Sequence, residues 1–599
     1  MKKFALFLFT FLIVFAAFGE DLPDNVRVNE EINTYRIIAR EGKPWQIKSE
    51  TTQVFEAIRS DDNVMATTYY DDDISIDKAS APGAQPIYKQ WISENNLYDD
   101  SRICALPISL KKGKPVKAEF KSTWKNPFIF STLFMTRSFF TANLRVEIIV
   151  PAELANRITV EAYKFTEGMK LEKAIGAKGD VTYIATATDI KPFETEDYSQ
   201  PIRLASPRIL IKGIFEDLGA LYSYYHKFTP GYDNLSQDIV ALAKSVTANA
   251  PNDIAKIDSI ADWVHRNIRY VAIEHGDYAL SPAAPDEVYR NRYGDCKCSA
   301  SLIKGMMKAV GIDGRLVWIG TNSHSDLTWD RHPAMSTGNH MIAAAITGDS
   351  IIFVDGTTQF APAGHIPAGI RGQQALIEDG DKYILHTVPS IPAQASLHHV
   401  DIKAVIDQGN LSGKISHTYS GDYKNLVNNI CGSVASDRME KSLKRLASVG
   451  RNDMEISNAV IIGDSLNASF YDRQAVKTIG KNIYVKLAPV WNWLCSPIDK
   501  ADKRRRPAVF NMRENSTSNI TLAIPQGMTV KSVPKPFSID NEWFKADIQY
   551  SVDDECVTCT SSILIKEGFV PTDKVAAWND SLKSIIKASD SRIVIEKSI

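Results

Sequence analysis

The chain has 599 residues, 44% of them hydrophobic and 23% charged, a globular balance that excludes a disordered, collagenous or coiled-coil protein and leaves room for two to four domains. Its 69 Lys and Arg stand against 71 Asp and Glu, without the basic excess of a nucleic-acid binder, so no nucleic-acid partner is expected.

Lys2 and Lys3 precede an apolar run from Phe4 to Phe18 that only Thr10 interrupts. The run is shorter than the roughly 20 residues of a membrane span, and Ala17 and Gly19 sit at the minus-three and minus-one positions of a cut before Glu20. Residues 1–19 are therefore expected to be a signal peptide, and the mature protein to work in the periplasm or outside the cell, with no transmembrane segment after signal removal. Seven cysteines in such an oxidising compartment is an odd number, so at least one is unpaired.

From Asp21 to about Phe228 the sequence reads as short strands between turn clusters: Thr52 to Ile58, Phe128 to Leu133, Leu144 to Val150, Ile158 to Tyr163, Thr182 to Thr188 and Arg208 to Gly213. A boundary is expected in the aperiodic string from His226 to Leu235. Helical spacing follows, with Ile254, Ile257, Ile260, Ala261, Val264 and Ile268 three and four apart and Asn252 as N-cap. A second helix runs from about Ser299 to Val310, closed by Gly311, with Cys296 just before it or in its first turn. The period then changes to strands at Arg315 to Gly320, His340 to Ile346 and, after a Gly348-Asp349 turn, Ile351 to Asp355. Beyond Pro392 alternating segments return, among them Lys414 to Tyr419, Ile520 to Ile524 and Ile548 to Val552, with helices near Met439 to Leu446 and Val575 to Ile586. The basic run Lys503 to Arg506 reads as a solvated loop.

A thiol nucleophile needs its thiolate, and a helix N-terminus supplies a positive dipole end and free N–H groups that favour negative charge. Cys296, in Tyr293-Gly294-Asp295-Cys296-Lys297, has that placement. The bland alternative is a buried structural cysteine or half of a disulfide. A thiol enzyme also needs an imidazole to hold the proton and a third group to orient it. With Gly348 and Asp349 as a two-residue loop, paired residue numbers sum to 697, which puts Asp355 opposite Ile342 and one diagonal step from His340. Both side chains then share a face, with β-carbons roughly 7 to 8 Å apart; a slip of one residue would separate them. Taken singly, His340 is an ordinary histidine and Asp355 a turn residue. The ordered series of Cys opening a helix, His starting a strand and Asp ending the next is harder to dismiss.

The stretch from about Asp253 to Thr358 resembles the transglutaminase-like superfamily, which shares a papain-like thiol-enzyme core. The strings carrying the resemblance are Ile268-Arg269-Tyr270-Val271, Pro285-Asp286-Glu287-Val288, Arg292 to Lys297, Asn339-His340-Met341-Ile342 and Phe353-Val354-Asp355-Gly356-Thr357. The resemblance implies Cys296 as nucleophile, His340 as general base and acid, and Asp355 as orienter, with no cofactor. The flanks resemble a bacterial envelope architecture with a β-rich domain on each side. The implied fold class is α+β and multidomain: a papain-like transglutaminase core (233–392), its Cys-bearing helix packed on an antiparallel sheet, between β-rich, sandwich-like domains (20–232 and 393–599). Many relatives carry Asp two residues after the nucleophile; here that position is Cys298.

Other groups attract weaker readings. Cys556 and Cys559 have redox spacing without a βαβ setting, so a structural disulfide or two reduced thiols is expected. His324, His332 and His340 recur every eight residues, but no Cys or Glu pair stands at ligand spacing, so no metal site is expected. The long loop Thr321 to Gly338 should shape the substrate cleft, with Trp329, Asp330 and His332 as contacts, and Tyr270 and Glu274 as oxyanion donors or cleft walls. The expected function is thiol-dependent acyl transfer at an amide bond of a peptide, protein or cell-envelope substrate, leaning to hydrolysis because water needs no second pocket. The rival is a catalytically inactive envelope protein that binds peptide or glycan with the same fold.

Overall fold

The computed structural model describes residues 25–40, 42–91, 96–229, 235–274, 279–448, 454–487, 497–498, 504–510 and 515–597. The expected leader, 1–19, lies outside them. Among the described residues no helix is long and apolar enough to cross a membrane. The chain groups into two compact units: Pro389–Ile599 with Glu196–Gln200 and Thr358–Ala368 forms one, and the rest forms the other.

In the first unit the N-terminal half is built on a seven-stranded sheet in which Val26–Arg40 lies between its antiparallel neighbour Lys43–Ala57 and its parallel neighbour Phe140–Val150. Two three-stranded sheets cover it. Ile37, Ile47 and Ile148 pack with Ile209 and Ile211 of one, and Val28, Phe55 and Phe120 pack with Val64, Cys104 and Leu106 of the other. Alternation of apolar and polar residues at period two makes this arrangement, since each strand turns one face inward. Phe128 to Leu133 departs from the expected strand. Asn126 caps a 3₁₀ turn, Pro127–Ile129, by accepting a 3.0 Å hydrogen bond from the Phe128 N–H, and only Thr132–Phe134 is extended. Asn-Pro chemistry here overrides β propensity.

The same unit continues through helices α1 (Gln237–Thr247), α2 (Asp253–Asn267), α3 (Pro285–Asn291) and α4 (Cys296–Ala309). Strands β1 (Asp313–Ile319), β2 (His340–Thr347), β3 (Ser350–Val354), β4 (Gln374–Asp379) and β5 (Lys382–Thr387) follow. They form an antiparallel sheet in the order β3-β2-β1-β4-β5. Asn252 caps α2 as expected, through Ala255 N–H at 2.9 Å, although Ile254 in its first turn is 54% exposed rather than part of the buried stripe. Helix α4 packs on β1 and β2 and against α1, α2 and α3, so nearly all of it is buried, and Gly311 ends it at φ +80°. Buried Lys304 of α4 meets Glu378 of β4 at 2.7 Å, and Glu378 also accepts the Leu316 N–H of β1 at 3.0 Å. This ion pair ties the central helix to the sheet.

The second unit holds an eight-stranded sheet and a four-stranded sheet. Ile402 and Ile415 of the first share a core with Val485, Ile593 and Ile595 of the second. Helix Gly421–Ser433, which shows no clear sequence period, joins the two helices expected from the sequence. The basic run is not a solvated loop throughout. Arg504 is only 3% exposed at its side chain and lies 3.9 Å from Glu196; Lys503 is outside the described residues. Cys556 and Cys559 sit on one strand, Cys556–Ile565, where positions three apart face opposite ways. Both are free thiols, as are Cys104, Cys296, Cys298 and Cys431. That geometry removes the dithiol redox reading.

Candidate active site

Asp295 starts α4 by accepting hydrogen bonds from the Lys297 and Cys298 N–H groups at 3.0 and 3.2 Å, a capping arrangement that leaves Cys296 at the first helical position. Asp295 also pairs with the buried Lys297 ammonium. The chain reaches this start through Gly294, whose absent β-carbon would lie 2.3 Å from the β-carbon of Cys298. Cys298 thus turns into the protein. Burial, with the nearby Asp295 charge, pushes its thiol up to about 12, which keeps it protonated while half-buried Cys296 faces the cleft.

The β2–β3 hairpin pairs Ala343 with Val354 and Thr347 with Ser350, the register in which His340 and Asp355 share a face. His340 Nε2 lies 3.0 Å from Asp355 Oδ2, with 14% and 6% of the two side chains exposed. The second Asp355 oxygen accepts from the Thr357 N–H at 2.9 Å and the Thr357 hydroxyl at 2.7 Å. Below it, buried His265 of α2 meets the Asp355 carbonyl oxygen at 3.3 Å. Gly356 lets this corner close on α4, where a β-carbon would meet Ser299 at 2.6 Å.

Burial alone would drive His340 toward the neutral form. The Asp355 charge and hydrogen bond, together with a hydrogen bond to the Cys296 thiol, overcome it and raise the imidazole well above its usual range. Burial likewise disfavours the Asp355 carboxylate, yet His340 and Thr357 hold it far below the usual carboxylate range. Nε2 is committed to Asp355, so Nδ1 is the nitrogen left for sulfur. A thiol, an imidazole and a fixed carboxylate in series can move a proton off sulfur and return it elsewhere.

Cys296 and His340 open on a cavity of about 460 Å³ whose other walls come from both halves of the unit: Phe134, Arg137 and Arg203 from the β-rich module, Tyr225, and Trp318, His324, Met335 and Asn339 from the core. The β-rich module is thus part of the cleft, which nothing in the sequence pattern indicated. The loop from Thr321 to Gly338 reaches the cleft through other residues than those expected. Trp329 is 1% exposed, packs against Gly338 and donates to the Gln374 carbonyl at 3.0 Å, because a large amphipathic ring is better placed in the core. His332 is 1% exposed, and burial pushes its pKa down to about 4. Asp330 points to solvent. None of the three lines the cavity. Tyr270 is half-buried on a two-residue strand that pairs with Tyr293 and Gly294, also outside the cavity lining. The backbone of Glu274 lies in strand Ala272–Glu274; its side chain is outside the described residues. His265 is the site residue sequence reading passed over. Its signal was its place beside Val264 on the buried stripe of α2.

Residues 240–355 match the transglutaminase-like superfamily, and residues 481–595 match a domain of unknown function with a solved structure (DUF3858). The central core of this chain is therefore a transglutaminase-like domain, flanked by β-rich domains. The crystal structure of a candidate protease from Parabacteroides distasonis superposes with a TM-score of 0.59 at 9% identity, over 96% of this chain and 100% of that one, so the two share a fold over that length. A candidate cysteine protease from Cytophaga hutchinsonii is 12% identical over 52% of this chain and 76% of its own, with a TM-score of 0.16. No curated protein matches the chain.

Proposed function

We propose that the protein is a thiol-dependent amide hydrolase, with Cys296 as nucleophile, His340 as general base and acid, and Asp355 as the group that orients the imidazole. The observation that carries this reading is the 3.0 Å His340–Asp355 pair that shares one cavity wall with the Cys296 thiol. In the first step the Cys296 sulfur attacks an amide carbonyl and His340 takes the thiol proton; the C–N bond then breaks and His340 protonates the leaving amine. The Cys296 N–H, at the start of α4, is placed to donate to the oxyanion. Water, deprotonated by His340, cleaves the resulting thioester and releases the acid. An incoming primary amine would complete transfer instead, and the absence of any second acceptor requirement favours water. Two neighbouring thiols are kept distinct, since Cys298 is turned inward and held protonated.

The apolar run of residues 1–19, read as a leader, supports work in an exported compartment, on a peptide, protein or cell-envelope substrate. N-terminal sequencing of the secreted chain should begin at Glu20. The test of the chemistry is turnover of mixed peptides and cell-wall fragments by the purified protein. Release of new amines that disappears in Cys296→Ala supports the reading. Peptide binding without release in either protein would make the chain a binding module that keeps the fold.

A further inference from the structure

Among the described residues, the cavity beside Cys296 has Arg137, Arg203 and Lys297 in its wall and no aspartate or glutamate. Two of these cations are already neutralised. Arg137 Nε bonds Glu31 at 2.7 Å, and Lys297 pairs with Asp295. Arg203 differs. Its Nε donates to the His324 carbonyl at 3.0 Å and its Nη2 to the Ser336 carbonyl at 3.2 Å, and its guanidinium lies over the Phe134 ring at 5.6 Å, so it is held by dipoles and a ring face and, among the described residues, no carboxylate bonds it. Asp326, whose charge acts on Arg203, is itself paired with Arg208 and with Lys164 at 2.6 Å. The surplus of positive charge also shows in Arg203 itself, which burial and the Arg208 charge push down to about 10.

Burying a cation against carbonyls and a ring face without a counter-ion is costly, and the cost is recovered when an anion completes it. Resting on the hydrolase reading above, we propose that Arg203 is a specificity residue, and that the preferred substrates carry a carboxylate close to the scissile amide. One cation without a carboxylate partner among the described residues, in a wall whose other two cations are already paired, matches a single negative charge. The carboxylate comes either from an acidic side chain or from a free C-terminus. Because Arg203 belongs to the β-rich module and Cys296 to the core, one function of the module is then to read substrate charge.

The test separates this inference from the hydrolase reading by using two small electrophiles of nearly equal shape, iodoacetate and iodoacetamide, with the alkylated residue located by mass spectrometry. In each case sulfur displaces iodide from carbon, so only the charge of the reagent differs. Iodoacetate should gain on iodoacetamide at Cys296, and Arg203→Gln should lower that rate ratio by roughly tenfold, the order expected for one charge acting across a cavity. Arg203→Lys, which keeps the charge, should retain most of it. A ratio unchanged in Arg203→Gln overturns the inference and leaves the hydrolase intact; failure to label Cys296 with either reagent overturns the hydrolase reading. On the unmodified protein, which makes the result independent of how the variant folds, glutarate should slow labelling by iodoacetamide more than glutaramide does, and equal protection would contradict the proposal. Acetylated peptide amides containing Glu, compared with free-acid peptides containing Gln, then tell which carboxylate is read.

Discussion

His340 in the core and the His398–His417 pair in the C-terminal unit are all largely buried imidazoles, but their protonation is driven in opposite directions. His398 and His417 stack 5.3 Å apart and share a 3.0 Å hydrogen bond. Burial pushes them down to about 3 and about 4 respectively, His398 being further lowered by His417 and His399. His340 feels the same desolvation, but Asp355 reverses it. A buried histidine without an acid is a neutral structural ring; one with a buried acid is a proton carrier. The difference between the two regions is one carboxylate and the Thr357 contacts that keep it charged.

The strongest way to break this comparison is to make the first region resemble the second. Asp355→Ala should cut kcat/KM by about a thousandfold or more. It should also move the alkaline limb of the pH–rate profile to lower pH, because His340 loses the charge that holds its pKa up. The stability signs differ as well. The Asp355 contribution is present above its unfolded pKa and lost as pH falls through its depressed folded value. The His340 contribution is complete below its unfolded pKa and lost as pH rises through its raised folded value.

The Lys304–Glu378 pair asks whether a buried charge elsewhere in the core depends equally on its partner. Glu378→Ala should destabilise the first unit by about 3 to 5 kcal/mol in chemical denaturation, since it strands a buried ammonium. The double variant Lys304→Met with Glu378→Leu should recover most of that loss. In the second region, the folded state binds fewer protons than the unfolded one because both histidines lie below 6.5. Stability should therefore fall as pH drops from about 6.5 toward about 4, and replacing both rings with Phe should move the acid-unfolding midpoint of that unit to lower pH. The smallest effect is expected from Thr357→Val, which removes one of two donors to Asp355 Oδ1. Activity should drop about three- to tenfold, the order of one ordinary net hydrogen bond, since the Thr357 N–H still bonds the same oxygen.

The site's three proposed residues could be placed from sequence because each sits where a local rule applies. Asp295 caps a helix one residue before Cys296, and a two-residue turn fixes the register that brings His340 to Asp355. The cleft walls obey no such rule. Phe134 and Arg203 come from segments with no evident link to the core, and their approach depends on tertiary contacts such as the 2.8 Å bond between the Ser131 and Ser336 hydroxyls. Trp329 and His332 misled for a related reason. A long polar loop suggests exposure, but these side chains turn inward, and the loop meets the cavity through His324, Met335 and Asn339. The β-rich flanks were legible from alternation alone, while helix Gly421–Ser433 was not, having only Tyr423 and Val427 fully buried on its inner face.

The most direct test is site-resolved labelling of the native protein at neutral pH with a limiting amount of a neutral thiol electrophile, alongside His340→Ala. Preferential modification of Cys296 over Cys298 and Cys556, with that preference abolished when the imidazole is removed, is the predicted result. Equal, slow modification of the accessible thiols in both proteins would contradict a proton relay between sulfur and His340.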